Sequence, residues 1–157
     1  TSSLCPAAAV VLNISEDHMD RYAGMDEYIH AKRRVYHEAN VVVVNRDDKA
    51  AFALAPDDVR RISFGLDEPP TDDDYGIRQQ VDEPWLVCGK ETLIAASSLR
   101  ILGRHNWANA LAALALGDAA GLPREAMLET LRGYSGLPHR SQWVAEVNGV
   151  VWINDSK

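Results

Sequence analysis

The chain has 157 residues, 46% of them apolar, enough for the core of one domain or for most of a larger one. A formal net charge of -7 excludes the broad basic footprint that a nucleic-acid or anionic-membrane partner requires, so any phosphate site must be local. Two cysteines, Cys5 and Cys88, supply neither a disulfide framework nor a metal-ligand spacing, and both are expected to be free buried thiols in a cytosolic protein.

The first element is the apolar run Ala7 to Leu12. It shows no alternation, as expected of a strand covered on both faces in a parallel sheet, and it is too short to span a bilayer. A helix is expected from Met25 to Ala39, with Tyr28, Lys32, Val35, Tyr36 and Ala39 on one inward stripe. Val41 to Asn45 is a second buried strand, Asp47-Asp48 opens a short helix through Leu54, and Arg61 to Gly65 is a third strand. This alternation of strands and helices predicts a parallel α/β sheet. Residues 66 to 75 form an acidic loop in which Asp72-Asp73-Asp74 is expected to be a solvated turn.

From Tyr75 to Ile101 the pattern changes to short alternating runs, and a turn at Gly89-Lys90 predicts a small antiparallel sheet attached to the parallel one. Gly89-Lys90-Glu91-Thr92 lacks the upstream glycine and the hydroxyl directly after lysine that a phosphate loop needs. Gly103-Arg104-His105-Asn106 then leads into a helix from Trp107 to Ala120, with Asn106 expected as its cap, and Pro123 opens a second helix at its first turn. Trp143 to Val147, Asn148-Gly149 and Val150 to Ile153 make the strongest hairpin signal in the chain. A composition shift near Gly136-Leu137-Pro138 marks a domain boundary. The opening Thr1, and Lys157 just after a strand-like run, suggest a stretch cut from a longer polypeptide.

The candidate site begins where the first strand ends, the place where ligands gather in open α/β sheets. Asn13 to Tyr22 includes Glu16, Asp17, His18 and Asp20, and Lys32 follows on the inward stripe of the next helix. A lysine in that position either packs its stem and lets its ammonium escape to water, or loses its charge and does chemistry. Its neutral amine can add carbon dioxide to give a carbamate, in effect a long carboxylate able to bind magnesium. Asn106 and Asn109 lie one turn apart on one side of their helix; a cap does not need the second amide, and two amides on one face could hydrogen-bond a base edge.

Taken together, Leu12 to Tyr22, Ala31-Lys32, Gly103 to Ala110, Gly136 to Arg140 and Asn154 to Lys157 resemble the Mur ligases of bacterial cell-wall peptidoglycan synthesis over essentially the whole chain. Leu137-Pro138-His139-Arg140 with Asn154-Asp155-Ser156-Lys157 points to the D-glutamate-adding member. The resemblance implies residues 1–136 as the C-terminal portion of a P-loop-type central ATP-binding domain and residues 137–157 as the start of a second α/β domain. It also implies a cytoplasmic, monomeric parent enzyme whose partners are ATP, D-glutamate and UDP-N-acetylmuramoyl-L-alanine. There the substrate carboxylate would attack the γ-phosphate, and the amine of the amino acid would displace the resulting acyl phosphate.

By the same resemblance His18 is a Mg2+ ligand and Lys32 a carbamylated lysine on the same metal, both catalytic. Asn106 and Asn109 contact adenine, Arg140 and Asp155 contact phosphate and ribose, and Lys157 is a further active-site lysine assigned to substrate. The family's Gly-Lys-Ser/Thr phosphate loop and its upstream magnesium-binding glutamate are not among these residues, so this stretch alone is expected to be inactive. Other readings stay open on the residues themselves: another Mur ligase or a folylpolyglutamate synthase, a non-catalytic α/β module in which Lys32 reaches solvent, or a metal hydrolase using Asp17, His18 and Asp20.

Overall fold

A computed structural model describes residues 4–15, 21–137 and 142–156. It contains a six-stranded sheet in the order β1 to β6 and a separate two-stranded sheet, β7 with β8. The strands of the larger sheet are β1 (Ala8–Val11), β2 (Val41–Asn45), β3 (Arg60–Phe64), β4 (Tyr75–Gln79), β5 (Pro84–Cys88) and β6 (Glu91–Ala95). β1 to β4 run parallel, and β5 and β6 return antiparallel. The expected antiparallel sheet is therefore the continuation of the parallel one rather than a separate layer.

Both faces of the parallel half are covered, which explains why β2 reads as an unbroken valine run. Val41 and Val43 face a core shared with Ile62, Phe64, Leu111, Leu114 and Leu128, built under α3 (Arg104–Ala119) and α4 (Arg124–Gly133). Val42 and Val44 face the opposite core, with Val11, Tyr36, Ala51 and Leu54, built under α1 (Met25–Arg33) and α2 (Lys49–Leu54). Period-two side-chain alternation along one strand thus seeds two cores.

The junction between the halves of the sheet is thin. β3 and β4 share a single register pair, Phe64 with Tyr75. Side chains complete the join: buried Asp74 accepts hydrogen bonds from the Ser63 amide at 2.6 Å, the Ser63 hydroxyl at 2.6 Å and the Thr71 hydroxyl at 2.7 Å. Arg46 donates to Ser63 Oγ at 2.8 Å and to the Tyr75 carbonyl at 3.0 Å, and pairs with Asp67. The acidic loop is thus only partly a solvated turn. Asp72 and Asp73 stay exposed, whereas Asp74 turns inward because a strand end with one backbone pair leaves the Ser63 amide in need of an acceptor.

Three local expectations are corrected. The helix after β1 tightens into a 3₁₀ turn at Arg34–Tyr36, which rotates Val35 out of the inward stripe and leaves it exposed, while Tyr28, Tyr36 and Ala39 stay buried. Asn106 is not a cap: α3 starts at Arg104 with Gly103 as its cap at φ 96°, where a Cβ would lie 2.8 Å from the His105 ring. Cys5 is exposed and donates to Glu38, and only Cys88 is buried. At Asp48 the expected helix start holds, since its side chain accepts from Ala51 N. The predicted hairpin is β7 (Gln142–Val147) and β8 (Val150–Asn154), turned by Asn148 and Gly149, both at positive φ. Among the described residues no helix is long and apolar enough to cross a membrane.

Candidate functional site

β1 ends at Val11, and the chain leaves the sheet through Leu12, Asn13 and Ile14. This loop is held from the neighbouring strand and helix. Asn45, the last residue of β2, donates from Nδ2 to the Leu12 carbonyl at 2.8 Å. Asp48 accepts from the Ile14 amide through one carboxylate oxygen at 2.9 Å and from the Ala51 amide through the other at 2.8 Å. The Ile14 side chain packs against the core on the α1 side. The sequence leads from here to Glu16, Asp17, His18 and Asp20, which lie outside the described residues.

Lys32 lies in the last turn of α1, half-buried, with its Nζ 5.2 Å from the centroid of the Tyr28 ring. Tyr22 meets the same ring edge-on at 5.3 Å between centroids. The lysine thus sits at the rim of an aromatic pair, a contact that suits its cationic form. The residue as a whole is half-buried, with the ammonium against this ring. The aromatic partner Tyr28 was legible as a stripe neighbour four residues earlier, though not as the group under the amine.

On the opposite face of the sheet, Asn106 and Asn109 occupy the first turns of α3. Asn106 donates to the Leu102 carbonyl at 2.7 Å and accepts from Asn109 Nδ2 at 3.3 Å. The first bond anchors Asn106, the second orients Asn109, and Asn109 remains exposed. Two amides fixed in this way hold hydrogen-bond donors and acceptors on one side of the helix start. No hydrogen bond or ion pair among the described residues joins this pair to Lys32. Asp155 follows β8 directly, while Arg140 and Lys157, like His18, lie outside the described residues.

For a divalent cation the described residues alone do not suffice. They contain no group of three or more His, Cys, Asp or Glu side chains able to hold a metal ion. Lys32 would contribute an oxygen ligand only as its carbamate, since Mg2+ binds oxygen and an ammonium has no lone pair to offer.

The chain is 52% identical over all 157 residues to the UDP-N-acetylmuramoylalanine–D-glutamate ligase of Nitrosococcus oceani, of which it covers 34%. It is 48% identical over 158 aligned residues to the protein of the same name from Escherichia coli, covering 35% of it. The chain thus spans about a third of the length of the curated relatives it matches. Among solved structures, MurF from Acinetobacter baumannii superposes with a TM-score of 0.74 at 23% identity, over 96% of this chain and 34% of that one, a likeness of fold. The model of the Mur ligase middle domain matches residues 1–117, so the chain belongs to the Mur ligase family.

Proposed function

We propose that the intact polypeptide carrying this segment is an ATP-dependent ligase that joins D-glutamate to UDP-N-acetylmuramoyl-L-alanine in peptidoglycan synthesis, acting as a monomer in the cytoplasm. The observation that carries the reading is identity of about half across the entire chain to ligases of that name. The oriented amide pair on α3 supports a nucleotide partner independently.

In this reaction a carboxylate oxygen of the muramoyl substrate attacks the γ-phosphorus, breaking its bond to the bridging oxygen of ADP and giving an acyl phosphate. The amine of D-glutamate then attacks the acyl carbon, inorganic phosphate leaves with the bonding pair, and the amine gives up a proton. Negative charge accumulates on the phosphoryl oxygens, which is what Mg2+ would neutralise when bound. His18 and carbamylated Lys32 are assigned to that ion. A carbamate on Lys32 replaces a cation by an anion, so it would turn away from the Tyr28 face on which the amine rests. Asn106 and Asn109 are assigned to adenine, with Asn109 supplying the reading edge and Asn106 fixing its direction. Arg140 and Asp155 are assigned to phosphate and ribose, and Lys157 to substrate. The boundary is assigned near Gly136, between residues 1–136 as the nucleotide-binding part and residues 137–157 as the start of the next domain.

The test is phosphate release from ATP by the full-length polypeptide with UDP-N-acetylmuramoyl-L-alanine present, on adding D-glutamate, L-glutamate or L-lysine in turn. Release that requires D-glutamate is the expected result. Release driven by L-lysine or L-glutamate instead would assign a different amino-acid-adding ligase, and no amino-acid dependence would remove the ligase reading altogether.

A further inference from the structure

We infer that Asn45 and Asp48 are positioning residues for the ligation reaction, clamping the loop that leads from β1 towards His18; the inference rests on the ligase reading above. The helix cap accounts for only one of the contacts these two side chains make. Helix α2 requires one side-chain oxygen for its cap, and Asp48 supplies it to Ala51 N. Its second oxygen is committed instead to the Ile14 amide, 34 residues away in sequence. Asn45 reaches 33 residues back to the Leu12 carbonyl, and its own Oδ1 accepts from Asp47 N at 2.9 Å, which fixes the amide's orientation.

The two contacts close on the groups that flank Asn13. The Leu12 carbonyl belongs to the peptide plane before Asn13 and the Ile14 amide to the plane after it. Holding both planes, with the Ile14 side chain anchored in the core beneath, leaves the chain little rotational freedom at the point where it departs from the sheet. Leu12 is exposed, so water could serve its carbonyl equally well if only solvation were at stake, whereas the Ile14 bond to Asp48 is partly buried. What the side chains add is direction. In catalysis a displacement of 1 Å can cost about a hundredfold in rate, so fixing the departure angle of the loop four residues before His18 has a kinetic consequence.

The clamp is testable with substitutions that spare the helix cap. Asp48→Ser keeps an oxygen for Ala51 N but is too short to reach Ile14, and Asn45→Asp keeps the acceptor for Asp47 N while removing the donor to Leu12. In the full-length protein each is expected to lower kcat about tenfold or more while KM for ATP moves less than about twofold. Amide exchange at Ile14 should accelerate in Asp48→Ser, with protection at Ala51 retained. Faster Ile14 exchange with kcat unchanged would overturn the inference, because the contact would then be structural only. Unchanged Ile14 exchange would overturn it as well. A wild-type protein with no amino-acid-dependent turnover would instead fail the ligase reading, and the catalytic role of the clamp with it.

Discussion

Replacing Asp74 with alanine probes the thinnest point of the sheet. Its carboxylate accepts three hydrogen bonds, two from Ser63 and one from Thr71, while only 7% exposed. At about 1.5–3 kcal/mol for each bond to a charged group the gross interaction is large, but deleting the carboxylate also removes its desolvation cost of several kcal/mol. Thr71, which is exposed, regains water. The Ser63 hydroxyl keeps Arg46 as a donor to it. What remains broken are two buried Ser63 donors, the amide and the hydroxyl proton, each losing its acceptor at about 1–3 kcal/mol, of which the relieved carboxylate desolvation returns a part. Asp74→Ala should therefore destabilise by about 2–3 kcal/mol, and Asp74→Asn by less than half of that, because its carbonyl still meets the amide. Urea unfolding monitored by circular dichroism measures both. An alanine variant within about 0.5 kcal/mol of wild type, or an asparagine variant as damaged as alanine, would refute the reasoning.

Other consequences follow from buried hydroxyls and from thiols. Tyr36 accepts from the Val11 amide at 3.1 Å and donates to the Val43 carbonyl at 3.4 Å, so Tyr36→Phe should cost about 1–2 kcal/mol in urea unfolding. The Tyr75 phenol is pushed well above its usual range, first by burial and then by its hydrogen bond to Asp118. A raised acid keeps its proton in the fold, so its stabilisation is complete below the unfolded value near pH 10 and is lost as pH rises beyond it. The stability gap between wild type and Tyr75→Phe should accordingly shrink above about pH 10 in parallel pH series of urea unfolding. The Cys5 thiol is pushed up by its hydrogen bond to the Glu38 carboxylate and then by that charge, so Glu38→Gln should speed its alkylation by iodoacetamide at pH 8. An unchanged rate would show that the contact does not control the thiol.

The parallel sheet was readable because Val41 to Val44 has no polar face to present, a pattern that only a doubly covered strand produces. The hairpin was readable because Asn148-Gly149 can adopt the positive φ values that such a turn needs. Val35 was misplaced because a 3₁₀ tightening depends on packing around Tyr36, which periodicity cannot register. Asp74 was misread because its two neighbours are solvated and nothing local marks the third carboxylate as the acceptor for a strand end on another element. In the site, the pairing of Asn106 with Asn109 was legible as helical spacing, whereas the second contact of Asp48 was not. Its capping role explains the residue completely until the loop from β1 is brought beside it in three dimensions.

The role of Lys32 tests the account most directly, since it decides whether the half-buried amine over Tyr28 is part of the chemistry or a packed surface lysine. The measurement is D-glutamate-dependent phosphate release by full-length Lys32→Ala, with and without acetate or another short carboxylic acid. The account predicts loss of turnover and partial recovery when the acid supplies the missing oxygens. Turnover equal to wild type without any added acid would contradict it.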